Sequence, residues 1–284
     1  MQETRKKLFV GVALLAAVTA VVAFAFVSSP KQNSITLAST TSTENSGLLA
    51  YLLPIFKDES GISVRVVAVG TGQAIRMAMK GDADVLLVHH RPSEERFIRE
   101  GYGVERVELM HNDFVIVGPA SDPAGIKGIT DLAVALERIR SGRLLFVSRG
   151  DDSGTHKKEI SLWGALGYQP GDEDAHWYRE SGSGQGATLN IAGEMDAYCL
   201  SDRATWVSFA NKRNLEVLVE GDPRLLNYYA VILVSSEKYP HIKATEGQRF
   251  IDWLVSERGQ QLIAAYRVEG QQLFFPDALE ATGE

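Results

Sequence analysis

Short runs of β-branched and apolar residues recur along the chain, and most are followed by stretches with apolar residues three and four positions apart. The first pattern predicts strands at 35–38, 64–69 and 85–88, and the second predicts helices over 45–58 and 73–80. Leu48, Leu49, Leu52, Ile55 and Phe56 share one helical face. Pro54 inside that pattern predicts a kink or an early second segment, because proline lacks an N–H and crowds the preceding turn. Ser93-Glu94-Glu95 supplies a cap and first-turn acids for another helix. Two adjacent strands follow, at 106–109 and 113–117. Beyond them the pattern predicts strands at 144–147, 177–179, 197–200, 215–219 and 228–234. Helices capped at Thr130-Asp131, then over 155–166, 187–192 and 203–211, lie between them. Residues 245–266 read as one long amphipathic helix with Phe250, Ile251, Leu254, Leu262 and Ile263 on its apolar face.

Strands alternating with helices predict an α/β fold with mainly parallel sheets flanked by helices. Turn signals at Gly118-Pro119 and Gly221-Asp222-Pro223 cut the pattern into three stretches. The outer two, 31–117 and 223–284, are expected to form one lobe and 118–222 a second, with a ligand cleft between them. Chain crossings are expected near Val117-Gly118 and Asp222-Pro223.

The N-terminus changes this picture only at its edge. Arg5, Lys6 and Lys7 precede an uncharged apolar run, Leu8 to Val27, so residues 1–30 read as an export signal or a membrane anchor. Either places the remainder on the outer side of the cytoplasmic membrane. The single cysteine, Cys199, excludes an intrachain disulfide and a lipid-anchored N-terminus. The net charge is −7, and setting residues 1–30 aside leaves 26 basic against 35 acidic groups, −9. An acidic body argues against nucleic acid as a partner, because phosphate neutralisation needs a basic surface. A small anion held by local donors is not excluded.

Two hydroxyl-rich clusters carry the candidate chemistry. Ser39-Thr40-Thr41-Ser42-Thr43 follows the first strand, and Ser148-Arg149-Gly150-Asp151-Asp152-Ser153-Gly154-Thr155 follows the strand at 144–147. Each opens a helix, where unpaired N–H groups and a partial positive charge favour an anion. Hydroxyls add donors there, and Arg149 adds a planar charged fork. Each cluster alone also suits a helix cap. Together they predict two walls of one oxyanion site. Asp151 and Asp152 are expected to hold Arg149 or backbone N–H groups instead of touching the anion. Gly70-Thr71-Gly72 is either a third anion-facing turn or a plain tight turn. Ser183 and Gly184, in the Ser181–Gly186 loop, are either part of a closing nest of N–H groups or of an ordinary connection. Glu194, Asp196, Asp202 and Arg203 are expected to cap or to face solvent.

The chain shows no G-x-S-x-G nucleophile elbow, so no catalytic residue is assigned. His89-His90, His111 and Asp113 lack the spacing of a metal site, and neither a metal nor a cofactor is expected.

The segment Ser39-Thr40-Thr41-Ser42-Thr43 with Ser46-Gly47-Leu48-Leu49, together with Arg149-Gly150-Asp151-Asp152-Ser153, resembles the two motifs of tungstate-binding proteins of ABC transporters. The resemblance extends through Val69–Gln73, Gly81–His89, Asn112–Pro119 and Ala197-Tyr198 with Ser201–Thr205, and covers nearly all of 35–270. Ser39 departs from the threonine of that family's motif but keeps the hydroxyl. The resemblance implies a two-lobed, type II periplasmic-binding-protein fold that closes on tungstate and delivers it to a membrane permease; molybdate, nearly the same size, is an open alternative ligand. It places oxyanion contacts at Thr40, Thr41, Ser42, Thr71, Arg149 and Ser153; Thr155 is added from its position in the first helical turn. The protein is expected to act as a monomer. A phosphate- or sulfate-binding protein of the same fold and a membrane-anchored oxyanion sensor are the competing readings.

Overall fold

The computed structural model describes residues 33–278. The leader expected over residues 1–30 lies outside them. Among the described residues no helix is long and apolar enough to cross a membrane.

Strands β1 (Ser34–Thr40), β2 (Ser63–Val69), β3 (Val85–Val88), β4 (Gly103–Pro119), β9 (Leu226–Val234) and β12 (Phe275–Pro276) form one sheet in the order β12-β4-β9-β3-β1-β2. Alternate residues face opposite ways along a strand, so each strand feeds two helical layers. Leu37, Val85, Leu87 and Val231 pack with Leu49, Leu52 and Phe56 of one helix and Phe250 of another. Ala38, Leu86, Val88, Ile232 and Val234 pack on the other side with Ala74, Ala78 and Phe97. Further along β4, β7 (Cys199–Asp202) and β8 (Leu215–Val219) pair with it in place of β9. There Phe114 and Ile116 join a cluster with Phe146, Trp163 and Trp177. Val115 and Val117 join one with Val147, Leu189 and Leu215.

Several sequence expectations change. The strands expected at 106–109 and 113–117 are one 17-residue strand, β4, which serves both ends of the fold. It changes partner between Asp113, opposite Leu226 of β9, and Phe114, opposite Asp202 of β7, ahead of the expected crossing at Val117-Gly118. The sheets are also mixed instead of mainly parallel. β1 runs parallel to β3, and β5 (Phe146–Ser148) runs parallel to β6 (Tyr178–Glu180). β9 is antiparallel to both β3 and β4, and β7 and β8 are antiparallel to β4. An alternation of elements carries no strand direction, so composition did not show this.

The long helix expected over 245–266 is two helices, Ala244–Val255 and Glu257–Ala265. Ser256 stands in extended geometry between them, and its hydroxyl accepts from Gly259 N to cap the second. Near the N-terminus the break falls at Ser46-Gly47, between α1 (Thr41–Asn45) and α2 (Leu48–Ser60), and α2 runs through Pro54 on its exposed face. Helix α3 spans Thr71–Met79. Helix α4 spans Arg91–Arg99 and starts ahead of Ser93; Glu94 reaches back to accept from His90 N at 2.5 Å and takes Arg106 Nε at 2.8 Å.

Candidate oxyanion site

The first cluster is a cap with hydroxyls to spare. Thr40 is the N-cap of α1, and its Oγ1 accepts from Thr43 N at 3.3 Å. The same oxygen lies 2.7 Å from Thr43 Oγ1 and 3.0 Å from Ser42 Oγ. Both Thr40 Oγ1 and Ser42 Oγ stand 3.4 Å from Nε2 of His89, which follows β3. Thr41, by contrast, is exposed at the first position of α1, and Ser39 donates to Leu87 O within the sheet.

The second cluster opens helix α6, Gly154–Ala165; α5 is Leu132–Ser141. Ser153 is the N-cap; its Oγ accepts from His156 N at 3.3 Å, and its hydroxyl bonds the Asp151 carboxylate. Gly150 turns the chain at φ 59°, and a Cβ there would strike Glu180 at 2.7 Å. That turn folds Asp151 back onto Arg149: its Oδ2 accepts from Arg149 Nε at 3.1 Å and from Nη2, and its Oδ1 accepts from Ser153 N at 3.2 Å. Burial opposes ionisation of Asp151, but the Ser153 hydroxyl and the Arg149 charge outweigh it and hold the carboxyl below its ordinary range. Arg149 is 8% exposed, and Asp151 leaves its Nη1 for another acceptor. Asp152 points outward and pairs with Lys157 at 3.0 Å. The positioning role expected of the aspartates therefore belongs to Asp151.

The two clusters meet. A Cβ placed on Gly154 would lie 2.6 Å from His89 Cε1 and 3.2 Å from Thr71 Oγ1, so the start of α6 is pressed against both. His89 in turn touches Thr40 and Ser42, and the Arg149 charge is close enough to oppose its protonation. Thr71, 2% exposed at the first position of α3, thus stands against the start of α6, where Thr155, 3% exposed, lies in the first turn. Among the described residues neither hydroxyl is taken up by a hydrogen bond to protein. A cleft of about 220 Å³ opens beside this point, lined by His89, His90, Lys157, Lys158 and Asn227. Lys158 Nζ donates to Leu226 O at 3.0 Å and ties α6 to the start of β9.

The loop holding Ser183 and Gly184 is held by its own hydrogen bonds. Ser183 Oγ donates to Ser181 O at 3.1 Å inside the loop, and Gly184 is the N-cap of helix α7, Gln185–Glu194. Ser181 makes the link to the site, donating to Arg149 O at 3.2 Å. Asp202 caps helix α8, Arg203–Ser208, through Thr205 N at 2.8 Å, and Arg203 pairs with Asp113 and Glu220. Glu194 pairs with Arg213 at the surface. Sequence reasoning missed His89, Gly154 and Asn227. Only the position of His89 just past the carboxyl end of a buried strand could have singled it out. His89 and His111 do not form a metal cluster: His111 pairs with Asp277 at 2.7 Å, and no group of three or more His, Cys, Asp or Glu converges among the described residues.

The profile of the PBP superfamily domain matches residues 25–258. Tungstate-binding protein TupA from Peptoclostridium acidaminophilum is 47% identical over 251 residues, covering 87% of this chain and 87% of that protein. The structure of tungstate-binding protein TupA from Desulfovibrio alaskensis G20 superposes with a TM-score of 0.79 at 42% identity, over 86% of this chain and 99% of that one. The tungstate ABC transporter protein from Geobacter sulfurreducens gives a TM-score of 0.74 at 41% identity, over 82% and 98%. The chain belongs to this family of tungstate-binding proteins within the PBP superfamily. It is a binding protein and not an enzyme.

Proposed function

We propose that this protein captures a single tetrahedral oxyanion, tungstate, outside the cytoplasmic membrane and presents it, as a monomer, to the permease of an ABC transporter. Molybdate is a second ligand of the same site. One observation supports the reading: the N-terminus of α6 closes on His89 and Thr71, and His89 stands against Thr40 and Ser42; in this reading Thr40, Ser42, Thr71, Arg149, Ser153 and Thr155 supply the donors. The likeness to tungstate-binding relatives supports it. In this reading the segment 31–117 with 223–284 and the segment 118–222 act as the two lobes, and residues 1–30 export or anchor the chain.

The chemistry suits a dianion without protons. Tungstate and molybdate present four oxygens that only accept, and the lining offers hydroxyl, guanidinium and backbone donors, with the nearest carboxylate, Asp151, occupied by Arg149. Phosphate near neutral pH keeps a proton that needs an acceptor. Burying that mismatch costs about 1–3 kcal/mol, up to about a hundredfold in affinity. Sulfate is donor-satisfied but smaller, so the donors do not all reach it.

Isothermal calorimetry of the full chain, purified in mild detergent and stripped of anion, tests the reading against tungstate, molybdate, sulfate and phosphate. One-to-one submicromolar binding of tungstate with phosphate silent is expected. Phosphate or sulfate binding more tightly would reject tungstate as the ligand, and silence from all four anions would reject the site.

A further inference from the structure

His89 touches both walls of the site, and its hydrogen bonds give it a definite protonation pattern. Its Nδ1 lies 3.1 Å from Asn227 Oδ1. Asn227 Nδ2 donates to Asn112 Oδ1 at 2.7 Å, and Asn112 Nδ2 donates to the Tyr229 hydroxyl at 3.3 Å. Asn112 therefore orients the Asn227 amide with its oxygen toward the imidazole. The ring carries its proton on Nδ1 and presents a lone pair at Nε2. That lone pair faces Thr40 Oγ1 and Ser42 Oγ at 3.4 Å each.

A neutral His89 thus competes with the ligand for a hydroxyl proton. A hydroxyl donating to Nε2 turns oxygen lone pairs toward an anion that wants a donor. Protonation reverses the bond: Nε2–H donates to a hydroxyl oxygen, the hydroxyl proton that Nε2 held is released to the anion, and the ring adds a positive charge. We propose that capture of a dianionic oxyanion takes up one proton at His89 Nε2. The proposal deepens the oxyanion reading and rests on it.

The surroundings of the ring agree. β9 and β4 present the neutral groups Asn227, Tyr229 and Asn112, with the Tyr229 ring 4.7 Å from the imidazole. α1 presents hydroxyls, and its one acid, Glu44, is exposed. Arg149 and His90 supply the charges that oppose protonation, and Lys157 and Asp152 act on His90. Burial, aided by these charges and opposed by the Asn227 bond, holds the ring down to about 4. A bound dianion sharing the same hydroxyls brings opposite charge near the ring, which raises an imidazole by about 1–3 pH units. Uptake is therefore absent well above neutrality and grows as pH falls, and affinity rises with it. Two other buried groups nearby can take up a proton: Glu159 on α6, bonded to Tyr178 at 2.6 Å, which burial pushes up to about 7, and Asp202, which burial also raises.

Calorimetry of the full chain with tungstate at pH 6, 7 and 8, each in two buffers of different ionisation enthalpy, counts the protons. Expected is almost none at pH 8 and on the order of half a proton at pH 6. His89→Gln should bind more weakly without this uptake. Uptake absent from the wild type at every pH overturns the proposal, as does uptake retained in His89→Gln but lost in Glu159→Gln. Ring ¹⁵N shifts of labelled histidine give a check that needs no variant. His89 should be a neutral Nδ1–H tautomer without tungstate and doubly protonated with it at pH 6. A ring neutral in both states overturns the proposal. Failure of tungstate to bind at all rejects the oxyanion reading and the proposal with it.

Discussion

Gly154→Ala separates the folding role of helix α6 from its role in the site. The added methyl would sit 2.6 Å from His89 Cε1 and 3.2 Å from Thr71 Oγ1. Ordinary contact begins near 3.4 Å, so the start of α6 must retreat from His89 by about 0.8 Å. Ser153 and Thr155 flank residue 154 and move with it. A retreat of that size takes a donor from about 2.8 Å to about 3.6 Å from its acceptor, outside hydrogen-bonding range. Losing one hydrogen bond to a charged ligand costs about 1.5–3 kcal/mol, so tungstate should bind roughly ten- to a hundredfold more weakly. The fold is expected to hold, because alanine is favoured over glycine in a helix by about 0.8–1 kcal/mol, which offsets part of the strain. Calorimetry reads the affinity, and thermal melts without anion read the fold. An affinity within threefold of wild type, or a melt lowered by more than 10 °C, would refute the close approach at Gly154 as the element that completes the site.

Other expectations follow from the same geometry. Arg149→Ala should weaken tungstate by about a hundredfold or more, exceeding any of Thr40→Val, Ser42→Ala, Thr71→Val, Ser153→Ala or Thr155→Val. It removes a charged fork and also strips Asp151 of its partner beside the anion; a hydroxyl variant with the larger loss in calorimetry would contradict this. Asp222 accepts from Arg224, Leu132 N and Arg224 N, and the Arg224 bond, the largest cause, holds its carboxyl well below the usual range. Its stabilisation is therefore present above the ordinary carboxylate value and is lost as pH falls through the depressed one. Asp222→Asn should lower stability at pH 7 by about 2–4 kcal/mol and flatten the acid limb, as followed by urea unfolding from pH 7 to 3.

Much of the local structure was legible in the residues. Thr40, Asp131 and Ser153 cap helices as their side chains suggest, and the buried strands fall where apolar runs predict. The two clusters were visible because a hydroxyl before an apolar-periodic stretch acts within three or four residues of itself. Ser256, which splits the last long helix, was not read because the apolar face continues across it.

Periodicity along a chain reports which face of an element is buried. It carries no information about what that face meets, nor about the direction of the neighbouring strand. That limit explains why β4 was read as two strands and the sheets as mainly parallel, and why the link from Ser181 to Arg149 was not foreseen. The support of the site depends on pairings between distant residues. His89 meets Asn227 across 138 positions, and Asn227 meets Asn112 across 115, because β9 and β4 pair in the register that sets those asparagines opposite each other. A one-residue slip would turn each of them to the other face of the sheet. The sequence by itself determined the two clusters and the helices that carry them; only the register of β4 on β9, and the approach of α6 to His89, brought the two clusters together.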